Sequence, residues 1–210
     1  MRKIFLTTIF LMIVFASRGL SQGILFGVTA GTTTVAGPSA YSDPISSGGA
    51  GFTGSNFHIG GIMKIFVPVY PLTPVVSFNY HKLEGNSNGT ETSQNIYSIG
   101  LSAQFTLAKQ IVSPYLSVDG SYNYFGKFEF TSSGSASSST KYTASNSPSS
   151  PNTLSSKARF GGGLGIGADF NIIPHADLDL SIRYQIMNLI GAKTSEESIP
   201  FFTINVAVLF

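Results

Sequence analysis

The chain has no cysteine and no tryptophan, and only 10% of its 210 residues are Asp, Glu, Lys or Arg. Without thiols it holds no disulfide framework, no thiolate metal site and no cysteine nucleophile. So little charge cannot give the mixed ionic coat that a soluble surface needs, roughly 25–35% of its residues. Long apolar runs are missing too. Beyond the first twenty residues none reaches the ~18 required of a spanning helix, and no segment shows the 3.6-residue stripe of a long amphipathic helix. These absences argue against helical membrane bundles. Intrinsic disorder is excluded by a hydrophobic content of 42% and an aromatic content of 12%.

The start of the chain points to export. Arg2 and Lys3 precede an apolar run from Ile4 to Ala16, which Ser17 and Arg18 close before the small residues Gly19 and Ser21. This is the plan of a secretory signal peptide, expected at residues 1–21 with cleavage before Gln22, and the run is short for an anchor. Cleavage removes three basic residues and no acid, leaving nine Lys and Arg against ten Asp and Glu, a net charge of −1 instead of +2. The mature chain, residues 22–210, thus lacks the basic stripe that nucleic-acid binding needs.

Period two dominates this mature chain. Alternation with Gly, Pro, Asn and Ser punctuation predicts eight strands near 23–32, 56–67, 75–83, 95–107, 114–130, 157–172, 177–188 and 200–210. Their connections alternate in length: 33–55, 84–94, 131–156 and 189–199 are long, whereas 68–74, 108–113 and 173–176 are short. Long loops at one end only are the parity of a closed, antiparallel, up-and-down eight-stranded transmembrane barrel. Loop 131–156 contains twelve serines, a composition unable to bury a core of its own. It reads as a solvated spacer or, more pointedly, as a receptor or adhesin tip.

One face of nearly every strand is apolar, as in Phe57, Ile59, Met63 and Ile65, or Tyr97, Ile99, Leu101, Ala103 and Phe105. The other carries Ser77, Asn79, Ser98, Ser102, Gln104, Ser117, Ser121 and Asn123. Alternation alone allows an apolar interior, as in a lipocalin, or an apolar exterior in lipid. Three features select lipid. The polar face consists mainly of small groups that fit a narrow eight-stranded interior, not the Lys and Glu of a soluble surface. The aromatic residues sort into two levels, with Phe57, Tyr80, Tyr97, Tyr122, Tyr124, Phe160, Tyr184 and Phe202 near the loop end and Phe26, Phe105, Phe170 and Phe210 near the turn end. At ~3.3 Å per residue and a tilt near 40° these levels lie roughly 20–25 Å apart, close to the ~25 Å apolar band of such barrels. Finally, Lys82 sits just past Tyr80, where its stem reaches the polar interface.

The last strand carries the most specific motif. Phe202, Ile204, Val206, Val208 and the terminal Phe210 alternate in a pattern that resembles the C-terminal assembly signature of bacterial outer-membrane barrels. The mature chain resembles the small eight-stranded family of the OmpA, OmpX and OmpW type, including its porin-like members. The resemblance implies delivery by periplasmic chaperones to a barrel assembly machinery with Phe210 as anchor. It implies no single activity, since members include anchors, adhesins, small channels and a few enzymes. Nothing resembling a peptidoglycan-binding domain follows Phe210, which departs from the OmpA pattern.

The interior is expected to hold His58, Lys64, His81, Asp119, Arg159, Asp169, Asp179 and Arg183, with signs nearly balanced. Buried charges need partners, so a salt-bridged plug is the plainer expectation. A gated ion path, with Asp119, Asp179 and Arg183 exchanging partners, is the alternative, and His58 or His81 would be its pH lever. Residues 160–168 match G-x-G-x-x-A at Gly163, Gly165 and Ala168, but the dinucleotide fingerprint needs a strand, turn and helix, and period two runs straight through here. Gly161, Gly163, Gly165 and Gly167 instead face inward, leaving a groove that Phe66 or Ile62 would fill or that would form a small lumen.

No His, Asp and Glu spacing suggests a metal, no cofactor is expected, and His58, His81 and His175 form no catalytic constellation. Asn88-Gly89-Thr90 reads as the tip of an external loop. The sequence therefore predicts a non-enzymatic integral outer-membrane barrel with a mostly packed polar interior. Its role is structural or surface-interacting, with an external ligand met through loops 33–55 and 131–156. A narrow passive channel for small or apolar solutes is the alternative.

Overall fold

In the computed structural model, residues 23–45, 49–52, 54, 56–66, 71–87, 90–132, 140–143, 157–173, 176–191 and 197–210 are described. Nine strands occur among them: β1 (Ile24–Val35), β2 (Asn56–Ile65), β3 (Leu72–Ser87), β4 (Thr90–Thr106), β5 (Val112–Ser132), β6 (Thr140–Thr143), β7 (Lys157–Ile173), β8 (Ala176–Ile190) and β9 (Pro200–Leu209). A single short helix, α1 (Ser39–Ser42), lies in the β1–β2 connection. Eight of the strands pair antiparallel in a ring, β1 to β5 and then β7, β8 and β9 back to β1, which is the expected closed up-and-down barrel. The short β6 lies outside the ring and pairs only with the upper end of β5, through Glu129 to Ser132.

Closure falls on the last residue. Phe210 donates its N–H to Phe26 O at 2.7 Å, and Phe26 N–H donates to Phe210 O at 3.1 Å. No strand of the ring keeps a free edge, as a sheet in hydrocarbon requires.

The faces point as the alternation indicated. Val28, Ile59, Phe78, Ile99, Leu101, Val118, Leu164, Ile166, Ile182 and Ile204 are exposed on the outside, Leu101 at 64%, while Ser77, Ser98, Ser102, Gln104, Ser117 and Asp119 are buried. Between the two aromatic levels, no outward-facing side chain among the described residues is ionisable. In the upper level the Tyr80 and Tyr97 rings lie 5.3 Å apart, as do those of Tyr122 and Phe160, and the Tyr80 hydroxyl donates to Asn95 Oδ1 at 2.8 Å. An apolar ring with a polar tip suits the boundary between acyl chains and headgroups. Just above, the outward Lys82 and Glu84 pair at 2.5 Å.

Two expectations need correction. Residues 84–94 form no long loop: β3 runs to Ser87, β4 starts at Thr90, and these two residues pair with each other. Asn88 and Gly89 lie outside the described residues, as do His175 and most of 131–156. Strand pairing continues above the lipid, but outward positions there become polar, as with Glu84, Asn86 and Glu91, so the hydropathy alternation fades while the ladder persists. The second correction concerns the glycine row of β7. Its space is filled by neither Phe66 nor Ile62 but by cross-strand partners on β5 and β8. A β-carbon on Gly167 would lie 2.5 Å from Tyr115 Cζ, and one on Gly165 2.9 Å from Arg183 Cγ.

Replacing the outward Leu101 by Arg, mid-height in the belt, is expected to cost about 2–4 kcal/mol. Chemical unfolding from lipid vesicles measures it, and a loss below ~1 kcal/mol would contradict the assigned orientation.

Candidate functional site

Side chains meet across the lumen at three levels among the described residues. The turn-end level centres on Lys64, an inward residue of β2 that is fully buried. Its Nζ donates to Asp169 Oδ1 on β7 and to Asp179 Oδ2 on β8, each at 2.5 Å. The Tyr115 hydroxyl lies 2.9 Å from both Asp179 oxygens and shares its single proton between them, and the Lys64 ammonium lies 5.2 Å from the Tyr115 ring centroid. Two carboxylates, one ammonium, a phenol and a ring face thus satisfy one another across the barrel. Unpaired, the same ions would be strongly destabilising.

Midway up, Arg183 Nη1 donates to Asp119 Oδ1 at 3.3 Å. Above them Ser98 Oγ donates to Asn123 Oδ1 at 2.6 Å, while Asn123 Nδ2 donates to Met187 O at 2.7 Å and to Ser121 Oγ at 3.0 Å. His58 and His81 face each other across β2 and β3 with ring centroids 5.2 Å apart, and the Thr33 hydroxyl lies between them, 3.0 Å and 3.2 Å from their Nδ1 atoms. A hydroxyl has one proton to give, so it donates to one imidazole and accepts from the other, which requires the two rings to be opposite tautomers when neutral.

The mouth is apolar. Inward residues Val35, Leu83, Ile96, Phe125, Met187 and Phe201 surround Tyr41, Ala50 and Phe52, all buried, which the β1–β2 connection inserts into the barrel. Phe52 packs on Tyr41 and on Phe128, with centroids 5.8 Å apart in each case. Polar ties hold this cork. Asn56 Nδ2 donates to Phe52 O at 2.8 Å, Glu84 N–H donates to Asn56 Oδ1 at 2.8 Å, and Thr92 Oγ1 donates to Ala50 O at 2.5 Å. Gly85 permits the close crossing, since a β-carbon there would collide with Ala50 O. A second staple comes from β8: Asn188 Nδ2 donates to Glu197 O at 2.8 Å and Asn188 Oδ1 accepts from Ile199 N–H at 2.7 Å.

Of the eight interior candidates, the structure joins Lys64 with Asp169 and Asp179, Asp119 with Arg183, and His58 with His81. Arg159 is buried beside the mouth, where its Nη1 donates to Ala158 O at 2.9 Å. Phe202, Ile204, Val206 and Phe210 are exposed along the outside of β9, and Val208 is half-buried there. Sequence reasoning missed Tyr115, although it shares parity with Ser117 and Asp119. It also missed the cork. Of segment 33–55, Tyr41, Ala50 and Phe52 are buried in the mouth, a packing that composition does not disclose. Phe128 escaped notice because a bulge between Gln94 and Ile96 shifts the register and turns it inward.

The apolar belt, polar lumen and closed ring define an integral outer-membrane barrel. The chain belongs to the outer membrane protein beta-barrel domain family, whose pattern matches residues 7–210. No curated protein sequence matches it. Among solved structures, Neisserial surface protein A superposes with a TM-score of 0.58 at 18% identity, covering 89% of this chain and 95% of that one. OprG from Pseudomonas aeruginosa gives 0.46 at 11% identity, with 90% and 95% covered. Ail, the attachment invasion locus protein of Yersinia pestis, gives 0.43 at 15%, with 90% and 97% covered. The first of these likenesses supports the eight-stranded fold, and the resemblance drawn from β9 and the strand pattern holds at the level of the family.

Lys64→Met is expected to destabilise the barrel by about 3–5 kcal/mol by leaving Asp169 and Asp179 facing each other, and changing both to Asn in the same chain should recover part of the loss. Phe52→Ala should cost a similar ~3–5 kcal/mol through the void it leaves in the mouth. The temperature at which heat-modifiable gel mobility is lost reports both; an unchanged temperature for Phe52→Ala would mean that the cork is not seated in the folded protein.

Proposed function

We propose that this protein is a non-enzymatic structural or surface-interaction component of the outer membrane, with a lumen that does not conduct. What supports this reading is that side chains meet across the barrel at three heights: the Lys64 level, a middle level of Asp119, Arg183 and the two histidines, and the apolar mouth. A narrow passive channel would need these to part together, and the mouth alone would have to expel Tyr41 and Phe52. Recognition then belongs to what rises from the lipid. β3, β4 and β5 extend seven or eight residues beyond Tyr80, Tyr97 and Tyr124, roughly 15–20 Å, and β5 leads into the Ser-rich connection 131–156. The outward face of this raised wall bears Glu84, Glu91 and Lys127, a solvent-facing set on which a partner at the cell surface is recognised.

Residues 1–21 act in this reading as the export signal and 22–210 as the barrel. Periplasmic chaperones and the barrel assembly machinery take hold of β9 through Phe202, Ile204, Val206, Val208 and Phe210. Aromatic and aliphatic groups lie outward along that strand, where a docking surface reaches them before lipid does.

Purified protein in planar bilayers is expected to give no discrete conductance steps, and steps abolished by changing Asp119 or Arg183 would establish the channel instead. In cells the chain should fractionate with the outer membrane and show heat-modifiable mobility. Deleting Phe210 should leave it in the periplasm or degraded; normal insertion of that truncation would remove the assembly role of β9.

A further inference from the structure

The cork rests on a floor that contains titratable groups. Thr33, His58 and His81 are inward residues of β1, β2 and β3 at one height, and the next inward residues above them are Val35, Asn56 and Leu83, all part of the seat of the cork. The His81 ring also meets the Phe201 ring edge-on, with centroids 5.8 Å apart, and Phe201 lines the mouth. Gly31 leaves room for the pair, since a β-carbon there would lie 2.7 Å from His58 Cε1. Both histidines are buried, and few charged groups face them. Arg183 approaches from β8, itself paired with Asp119 on β5, and Arg159 of β7 lies beside the mouth. On β2 the nearest inward charge is Lys64, which Asp169 and Asp179 hold. The inward residues that β1, β4 and β9 present here are uncharged, Gly31, Ser98, Thr203 and Asn205 among them.

We infer that the His58–His81 pair is an acid-sensitive latch, which keeps the cork seated while both rings are neutral and releases it when they are protonated. In the neutral pair the Thr33 hydroxyl donates to one Nδ1 and accepts from the other. Protonation puts an N–H on both, so neither ring can accept the hydroxyl proton. Two like charges then stand with centroids 5.2 Å apart and Arg183 as a third, while Asp119 is already engaged by that guanidinium. The rings cannot part sideways, because His58 and His81 are direct partners in the β2–β3 ladder. Relief has to come from hydration, since a buried charge without a partner is costly, and the layer between this pair and outside water is the cork. Side-chain ties to Phe52 O and Ala50 O and apolar packing hold that layer, whereas continuous strand ladders hold the ring beneath it. The cork is therefore the part that yields. The device goes beyond the surface role proposed above and acts on the mouth, not on an ion path: the Lys64 level below contains no histidine.

Because the chain has no cysteine, Ala50→Cys places a single thiol in the cork. With the purified protein in lipid vesicles, the rate at which this thiol reacts with dithiodipyridine, normalised at each pH to the urea-unfolded chain, reports how often the cork lifts. Opening takes up protons, so closure is complete at high pH and is lost as pH falls. Labelling should rise about tenfold per pH unit for each proton taken up, within a range from about 7.5 down to about 3.5. The gel mobility of the folded barrel should persist through that rise. Changing both His58→Gln and His81→Gln should flatten it to less than about threefold over the same range. A flat profile with both histidines present, an equal rise in the double variant, or a rise that coincides with loss of the folded mobility would overturn the latch. Should the double variant fail to fold, His81→Gln alone decides: a shallower slope supports the latch and an unchanged slope refutes it. Should Ala50→Cys fail to fold, Ala40→Cys, packed against the same cluster, carries the thiol instead.

Discussion

The constraint on which the rest depends is that a backbone amide or carbonyl in hydrocarbon has no water to bond with. A sheet meets it only by closing, and here the terminal residue completes the ring through its reciprocal pair with Phe26. Once the ring is closed and set in lipid, the side chains follow. Every second residue meets acyl chains and must be apolar, while its neighbours face the interior of a narrow eight-stranded ring. Inward positions therefore carry small hydroxyls and amides, and the few charges there survive because each has a partner within reach, Lys64 between Asp169 and Asp179 above all.

Polarity reverses where the strands leave the membrane. Up to the level of Tyr80 and Tyr97 the outside is greasy and the inside mostly polar, apart from the buried cluster of Ile62, Val75, Ala207 and Leu209. From Lys82 upward the outside carries Glu84, Asn86 and Glu91, and the inside carries Leu83, Ile96, Phe125 and Phe201 packed on Phe52. The same ladder thus follows the rule of a membrane protein on its outer face below and of a soluble protein above, while the smaller apolar cluster of Ile62, Val75, Ala207 and Leu209 is buried inside at the turn end. The cork is a consequence of this reversal. An open barrel end in water, lined by apolar residues, would expose a wet hydrophobic cup, and the β1–β2 connection supplies the side chains that fill it.

Much of this was legible in the sequence, and what was not has identifiable physical reasons. The period of two, the parity of connection lengths and the two aromatic levels placed seven of the eight barrel strands to within a few residues at both ends and set their orientation, because each follows from the lipid belt. The strand ends around residues 84–94 were hidden by the reversal: when outward positions turn polar, alternation in hydropathy vanishes although pairing continues to Ser87 and Thr90. Tyr115 was hidden for a different reason. An inward tyrosine in a polar row resembles an outward aromatic until its hydroxyl is seen on Asp179. Which of the interior charges meet was also beyond sequence reasoning, since Lys64 and Asp179 lie 115 residues apart and come together only through the ring.

The glycine row of β7 shows how the interior is packed. Gly161, Gly163, Gly165 and Gly167 look, in isolation, like space for a ligand. The register sets Tyr115 beside Gly167 and Arg183 beside Gly165, so the absent side chains of one strand are the room occupied by long side chains of the two beside it. In a ring of fixed circumference the interior volume is shared among neighbours, and a column of glycine marks where adjacent strands place their largest polar groups. A reading of any one strand finds a groove. Only the pairing shows that the groove holds the tyrosine and arginine on which both ionic levels of the lumen depend.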